Sequence, residues 1–397
     1  MKYLFYISFF ALCAVSILDP GNSILGLKEE TFVLTFILGL FHYEGLKHLS
    51  PFVLKVVLII GFLLPFWGLI LGVTIGNEFK MEVAISYIKS MLFVFLILVI
   101  YKEDEQLHKT FAIATLTLIP LIITLWYLIT NNGFEALPLI FDEDTVKISR
   151  RSYGPILIDP CIYYKTSPLL IFGLSFILSL KGKYKFLIVP IILFTIFNTG
   201  TRANMISSVL IIILWIWTSI KDNKTLRAIF IGTGVIIGLM YVPFLIHDVF
   251  FSPDEVSMEI KASHMSSYVD YWLSNPLNFL LGQGLGSGMV TKLGGLSYLI
   301  EPTYLEIIRH WGILLFPLNF WFLVLCPAYY FFKNKNKVHS SPYAFYVFAY
   351  YAYAFVEVPS NPLLFGSSGM VVLTLAYVIV YHIKKQKRYV LHTPVNV

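Results

Sequence analysis

Arg202 is the residue whose type and position speak most directly of chemistry. It sits in Asn198-Thr199-Gly200-Thr201-Arg202-Ala203-Asn204, between strongly apolar runs at 186–197 and 205–220. A guanidinium at the end of an apolar span is costly unless it faces water, an aqueous cavity or an anionic partner. It is also the side chain best suited to hold phosphate through paired donors. An arginine at the mouth of a span therefore points to a phosphate-bearing ligand arriving there. A second group lies in Glu301-Pro302-Thr303-Tyr304-Leu305-Glu306-Ile307-Ile308-Arg309-His310-Trp311-Gly312. Pro302 suits a first helical turn. Glu306, Arg309 and His310 then follow at i, i+3 and i+4 on one face. Such a face can bind a charged headgroup or move a proton. The simpler alternative is a local Glu306–Arg309 ion pair, with Tyr304 and Trp311 as interfacial aromatics.

Two segments between apolar runs carry the remaining polar candidates. The first, about 131–161, holds Asp142-Glu143-Asp144 and then Arg150-Arg151-Ser152-Tyr153-Gly154-Pro155. The acidic patch reads as a solvated turn ahead of a divalent-cation site. The second, about 247–310, holds Ser263-His264-Met265, the aromatic stretch 268–272, and Gly282-Gln283-Gly284-Leu285-Gly286-Ser287-Gly288. No strand–helix–strand pattern surrounds these glycines, so they are not a nucleotide fingerprint. They predict a tight turn where backbone approaches a ligand or another helix, or a simple turn. Loops this long are usually functional or disordered. Its Tyr, Trp and Leu content predicts a loop folded against the membrane.

The elements that position these residues are membrane spans. The chain has 397 residues, 57% hydrophobic and 13% charged, with mean hydropathy +0.76. Soluble domains carry roughly 25% charged residues. The expected fold is all-α: one polytopic membrane domain over 1–397. Spans of about 20 apolar residues fall at 3–18, 24–43, 52–73, 84–101, 108–130, 162–180, 186–198, 203–220, 228–246, 311–332, 343–358 and 363–383. The first reads as a retained span, because Asp19-Pro20-Gly21 follows it and no small-residue cleavage site does. With twelve spans and both termini inside, every inner loop carries lysine, and so does the tail 384–397. This satisfies the positive-inside rule. Four of the six arginines, Arg150, Arg151, Arg202 and Arg309, fall outside, against that rule.

Absent motifs narrow the function. There is no His-Glu-x-x-His, Gly-x-Ser-x-Gly, P-loop or Cys/His metal spacing, so zinc-protease, hydrolase and ATPase chemistries lack their residues. Cys13, Cys161 and Cys326 show no paired spacing. No metal, cofactor or nucleic-acid partner is expected.

Taken together, the many spans, the Gly-Thr-Arg-Ala at the outer end of a middle helix, and a late loop with Gly-x-Gly-x-Gly followed by Glu-x-x-Tyr-Leu-x-x-x-x-x-x-Gly resemble the O-antigen polymerase (Wzy-type) and O-antigen ligase superfamily. The resemblance covers roughly 130–370 and rests on short motifs. It implies a glycosyltransferase of the bacterial inner membrane, working on undecaprenyl-pyrophosphate-linked oligosaccharide at the outer face. A chain-length regulator is an open further partner. The ligase typically has a histidine where this chain has Glu301, which favours polymerase. The arginine the family often carries ahead of the late-loop Trp is missing. Only Lys261 and His264 precede Trp272. On this reading Arg202 binds pyrophosphate, helped by Arg150, Arg151 or Arg309. Glu301 takes the acceptor's proton, with Glu306 and His264 as further candidates. Tyr153, Tyr304 and His310 join the substrate-binding set. The rivals are the ligase and a lipid-linked sugar flippase. A flippase predicts charges deep within spans and often internal repeats, and no convincing repeat relates the two halves.

Overall fold

The computed structural model describes residues 1–42, 49–103, 105–131, 141, 145–153, 156–220, 223–229, 231–233, 256–292, 295–298 and 303–392. In a lipid phase each backbone amide must find its partner within its own segment, so apolar runs become helices. They are α1 (Lys2–Leu18), α2 (Lys28–His42), α3 (Pro51–Ile75), α4 (Met81–Ile100), α5 (Gln106–Thr130), α6 (Ser167–Ser179), α7 (Lys185–Asn198) and α8 (Arg202–Ser219). After these come α9 (Val256–Ser274), α10 (Pro276–Leu281) and α11 (Thr303–Lys333). The last are α12 (Ala344–Ala352), which runs on through a π-turn at Tyr353–Glu357 into Val358–Ser360, and α13 (Ser367–His392).

Among the described residues six helices, α3, α4, α5, α8, α11 and α13, are long and apolar enough to cross a membrane, and α1, α6 and α7 are shorter apolar helices. The chain is thus a mostly helical membrane protein. Most of the expected span 228–246 lies outside the described residues. One continuous core, rich in Phe and Tyr, joins α1, α3–α8 and α11–α13.

Two hairpins modify the all-helical expectation. The segment expected as an outer loop folds into β1 (Val146–Tyr153) against β2 (Ile156–Tyr164), antiparallel from Val146↔Tyr164 to Tyr153↔Ile156. β2 is rich in β-branched and aromatic residues, which suit a half-buried pleated surface. The expected span 162–180 therefore begins inside a strand and turns helical only at Ser167. The register slips between Ser149 and Arg151. Such a bulge re-aims the side chains beside it. The second hairpin, β3 (Met289–Thr291) with β4 (Gly295–Ser297), lies in the late loop.

The helix ends sort into two groups. At one end Thr166 Oγ1 donates to Ile17 O (2.6 Å), Thr303 Oγ1 donates to Asn361 O (2.8 Å), and Lys80 N donates to Gly286 O (2.8 Å). At the other, the Tyr6 hydroxyl donates to Glu103, and His382 Nε2 lies 2.6 Å from Glu103 O. Arg202 belongs to the first end, and Lys333 at the end of α11 and Lys384 of α13 belong to the second.

Candidate functional site

The late loop is anchored by glycine. Gly68 and Gly72 on α3, and Gly76 just past its end, recur every four residues and open a groove along one face. The 283–287 backbone lies in that groove, with Leu285 N donating to Gly68 O at 2.8 Å. A Cβ on Gly72 would sit 2.2 Å from Leu285 O, and one on Gly284 (φ +80°) 1.9 Å from Gly72 N. The loop also repairs a break in α11. Gly312 (φ 73°, ψ 165°) interrupts that helix and frees the carbonyls one turn earlier. Gln283 N donates to Arg309 O (2.7 Å) and Gly284 N to His310 O (3.2 Å). The expected close approach of glycine backbone to another helix is thus what the structure shows.

Above the break, Glu306, Arg309 and His310 form the face that their spacing predicts, but the face points inward. All three are fully buried. Arg309 Nε donates to Glu306 Oε1 at 2.8 Å and Nη2 to Oε2 at 2.6 Å. Its other donors reach Ser287 O (Nη1, 2.6 Å) and Tyr298 O (Nη2, 2.9 Å). His310 Nε2 lies 3.1 Å from Glu306 Oε2, and Nδ1 is 3.1 Å from Gly284 O. The Tyr268 hydroxyl of α9 donates to Glu306 Oε1. Burial first, and then the Glu306 carboxylate, hold the Tyr268 hydroxyl well above the ordinary tyrosine value. The interfacial alternative for the aromatics is corrected for Trp311, which is fully buried with Nε1 donating to Leu64 O at 2.9 Å. Tyr304 is part-buried and spends its hydroxyl on Ala354 O at 2.5 Å, a carbonyl of the α12 π-turn. This knot ties α9, α11, α12 and the glycine loop together. Its charged groups satisfy one another.

Arg202 lies in a different setting. Gly200 (φ +62°) turns the chain from α7 into α8, and a Cβ there would meet Cys161 Sγ at 2.6 Å and Arg151 Cγ at 3.2 Å. The β1–β2 hairpin therefore lies on this turn, with Arg151 beside it. Arg150, the residue left out of register at the bulge, is exposed and pairs loosely with Asp159 (3.4 Å). Arg202 is half-buried at the first position of α8. The N-cap Thr201 is extended and makes no side-chain cap to the first-turn amides. Its hydroxyl lies 2.7 Å from Thr199 Oγ1 instead. An uncapped helix N-terminus with an arginine on it is a natural anion seat.

Behind this turn lies a polar cluster that the sequence did not announce. Glu357 of the π-turn is fully buried. Asn361 Nδ2 donates to Glu357 Oε2 at 3.0 Å. Asn204, with its amide nitrogen toward the carboxylate, donates to the same oxygen at 3.0 Å, and its oxygen accepts from Thr201 Oγ1 at 2.8 Å. Asn361 O also accepts from Thr303 Oγ1, at the start of α11. Thus the ends of α7, α8, α11 and α12 meet at one place. The available signal was a single carboxylate in the aromatic run 343–358, with Asn361 four residues on.

Among the other candidates, Glu301 lies outside the described residues, as does the acidic patch at 142–144. Tyr153 is placed by its backbone at the end of β1. His264 is half-buried on α9. Among the described residues no group of three or more His, Cys, Asp or Glu is placed to hold a metal ion. Cys13, Cys161 and Cys326 are free and buried. No family model, curated protein or solved structure matches this chain.

Proposed function

We propose that this chain is a glycosyltransferase that joins lipid-pyrophosphate-linked oligosaccharide units, a polysaccharide polymerase of the O-antigen type. On this reading it spans the bacterial inner membrane twelve times, termini inside, with its site at the outer face. The observation that carries the proposal is the Arg202 turn: a half-buried guanidinium on an uncapped helix start, with Arg151 beside it. In the proposed step an acceptor hydroxyl attacks the anomeric carbon of the donor glycan. The bond from that carbon to the pyrophosphate oxygen breaks, and the lipid pyrophosphate leaves with the electron pair. Arg202, Arg151 and the α8 amides bind the developing charge, which lowers the barrier. A carboxylate accepts the hydroxyl proton. Glu301, just ahead of α11, is assigned that role and His264 is second. Glu306 has both oxygens occupied in the buried knot, so it and Arg309 and His310 shape the late loop. Arg150 and Tyr153 on the hairpin and Tyr304 on α11 remain glycan-binding candidates.

The test is the surface-polysaccharide banding pattern of cells lacking the protein, complemented with wild type, Arg202→Ala or Arg202→Lys. The expected result is core plus one repeat unit in the deletion strain and a full ladder with wild type. Arg202→Ala should lower transfer by about 10²–10³, the range for losing one donor to developing charge. Arg202→Lys should recover part of it. Bare core in the deletion strain would assign a ligase or flippase. A full ladder from Arg202→Ala would refute the site.

A further inference from the structure

At the end of the bundle opposite Arg202, a cavity of about 640 Å³ opens between the start of α3, the final turn of α11 and residues 381–385 of α13. Three lysines line it, Lys333, Lys384 and Lys385, and among the described residues no acidic side chain does. Lys384 is held in place rather than waving in solvent: its ammonium lies 3.6 Å from the centroid of the Phe52 ring and 4.6 Å from that of Tyr330. Such contacts fix a cation without neutralising it. Lys333 Nζ is 3.0 Å from the Tyr329 hydroxyl, again a neutral partner. Ser50, the N-cap of α3, also lines the cavity and makes no side-chain cap. The amide end of a 25-residue helix therefore faces the same space.

Sidedness alone explains lysines in loops, since basic residues gather on the inner side of any such protein. It does not explain three of them, from two helices, converging with a helix N-terminus on one concavity walled by aromatic rings. Positive charge, aromatic walls and an opening at a helix-bundle end suit a phosphate group carried on an apolar tail. We propose that this cavity binds the phosphate of an anionic lipid headgroup, with Lys384 as the central cation and Lys333, Lys385 and the α3 amides around it. The site is separate from the Arg202 turn and does not depend on the reaction proposed there.

The experiment uses the full chain purified in mild detergent and offered phosphatidylglycerol, phosphatidylcholine or inorganic phosphate, with retained ligand read by native mass spectrometry. Wild type should keep about one phosphatidylglycerol per chain and discriminate against phosphatidylcholine. The Lys333→Gln/Lys384→Gln/Lys385→Gln variant should lose about tenfold in retention, since each lysine near an anionic surface contributes on the order of 1 kcal/mol before screening. A control variant, Lys181→Gln/Lys183→Gln/Lys185→Gln, removes three lysines around the start of α7 that do not line the cavity. It should retain lipid as wild type does. Equal loss in both variants, or no preference for the anionic lipid, would overturn the proposal. Displacement of the lipid by millimolar inorganic phosphate would assign the site to a free anion and overturn the lipid assignment. Circular dichroism melts report folding, and the single variant Lys384→Met, which keeps an apolar stem between the rings, should lose at least half the effect.

Discussion

Replacing Glu306 with Gln tests the inward-facing knot most sharply. The substitution keeps the side chain's shape and one carbonyl acceptor but removes the charge facing Arg309. That guanidinium is fully buried, with Nε 2.8 Å from Oε1 and Nη2 2.6 Å from Oε2. With charge centres about 4 Å apart and an effective dielectric of about 20, the lost attraction is about 4 kcal/mol. Breaking a buried pair from one side costs about 3–5 kcal/mol, because an uncompensated charge stays inside. Ser287 O and Tyr298 O still accept from Arg309, so we expect the lower part of that range, about 3 kcal/mol. At roughly 2 °C per kcal/mol for a large chain, the melting temperature falls by about 6 °C. The assay is tryptophan-fluorescence melting of purified protein in detergent, with Trp311 and Trp272 near the knot as reporters. Glu306→Gln/Arg309→Met removes both charges and should recover at least half of the loss, as a double-mutant cycle would register. A loss under about 1 kcal/mol for the single variant, well below that range, would refute the account of a dry, mutually satisfied pair. So would a double variant worse than the sum of the singles.

Further outcomes follow from the same geometry. Gly284→Ala would drive a Cβ to 1.9 Å from Gly72 N at φ +80°. It should abolish recovery of folded protein, whereas Gly295→Ala, at φ +65° with nothing within 4 Å, should cost only about 1–2 kcal/mol. Comparable yields of the two variants would sink the packing argument. Tyr268 supplies a pH dependence. Its hydroxyl is held protonated above the ordinary tyrosine value, chiefly by burial. A folded-state value raised in this way gives stability that is complete below about pH 10, the unfolded value, and is lost as pH climbs above it. Melting temperatures of wild type should therefore drop more steeply above pH 10 than those of Tyr268→Phe. Parallel curves would show that ionisation of this hydroxyl does not matter.

Much of the helical framework was legible in advance. Runs of Leu, Ile and Phe with few charges can only become helices in lipid, and α3, α4, α5, α8, α11 and α13 coincide with runs read that way. Arg202 at the start of α8 was legible too, because Gly200 and Thr201 between two apolar runs mark a helix break. The hairpin at β1–β2 was not. Its β-branched residues run directly into the apolar stretch of α6, and hydropathy alone merges the two into one span. Gly68, Gly72 and Gly76 carried a readable four-residue spacing, but nothing in their own segment says that residues 283–287 fill the groove.

What the sequence by itself determined was local: which runs are apolar, where they break, and that Glu306, Arg309 and His310 share one helix face. Helical geometry settles that much, because the spacing of three and four residues is enough. Which way that face points was decided only by tertiary structure. The glycine loop, Tyr268 and the α11 break at Gly312 supply partners that make burying a carboxylate and a guanidinium tolerable. Without them the same face would have to meet water. The junction of Asn204, Glu357 and Asn361 behind Arg202 is likewise tertiary. Asn204 comes from α8, far in the chain from Glu357 and Asn361 at the end of α12, and only the packing of α7, α8, α11 and α12 brings their polar atoms within hydrogen-bonding distance.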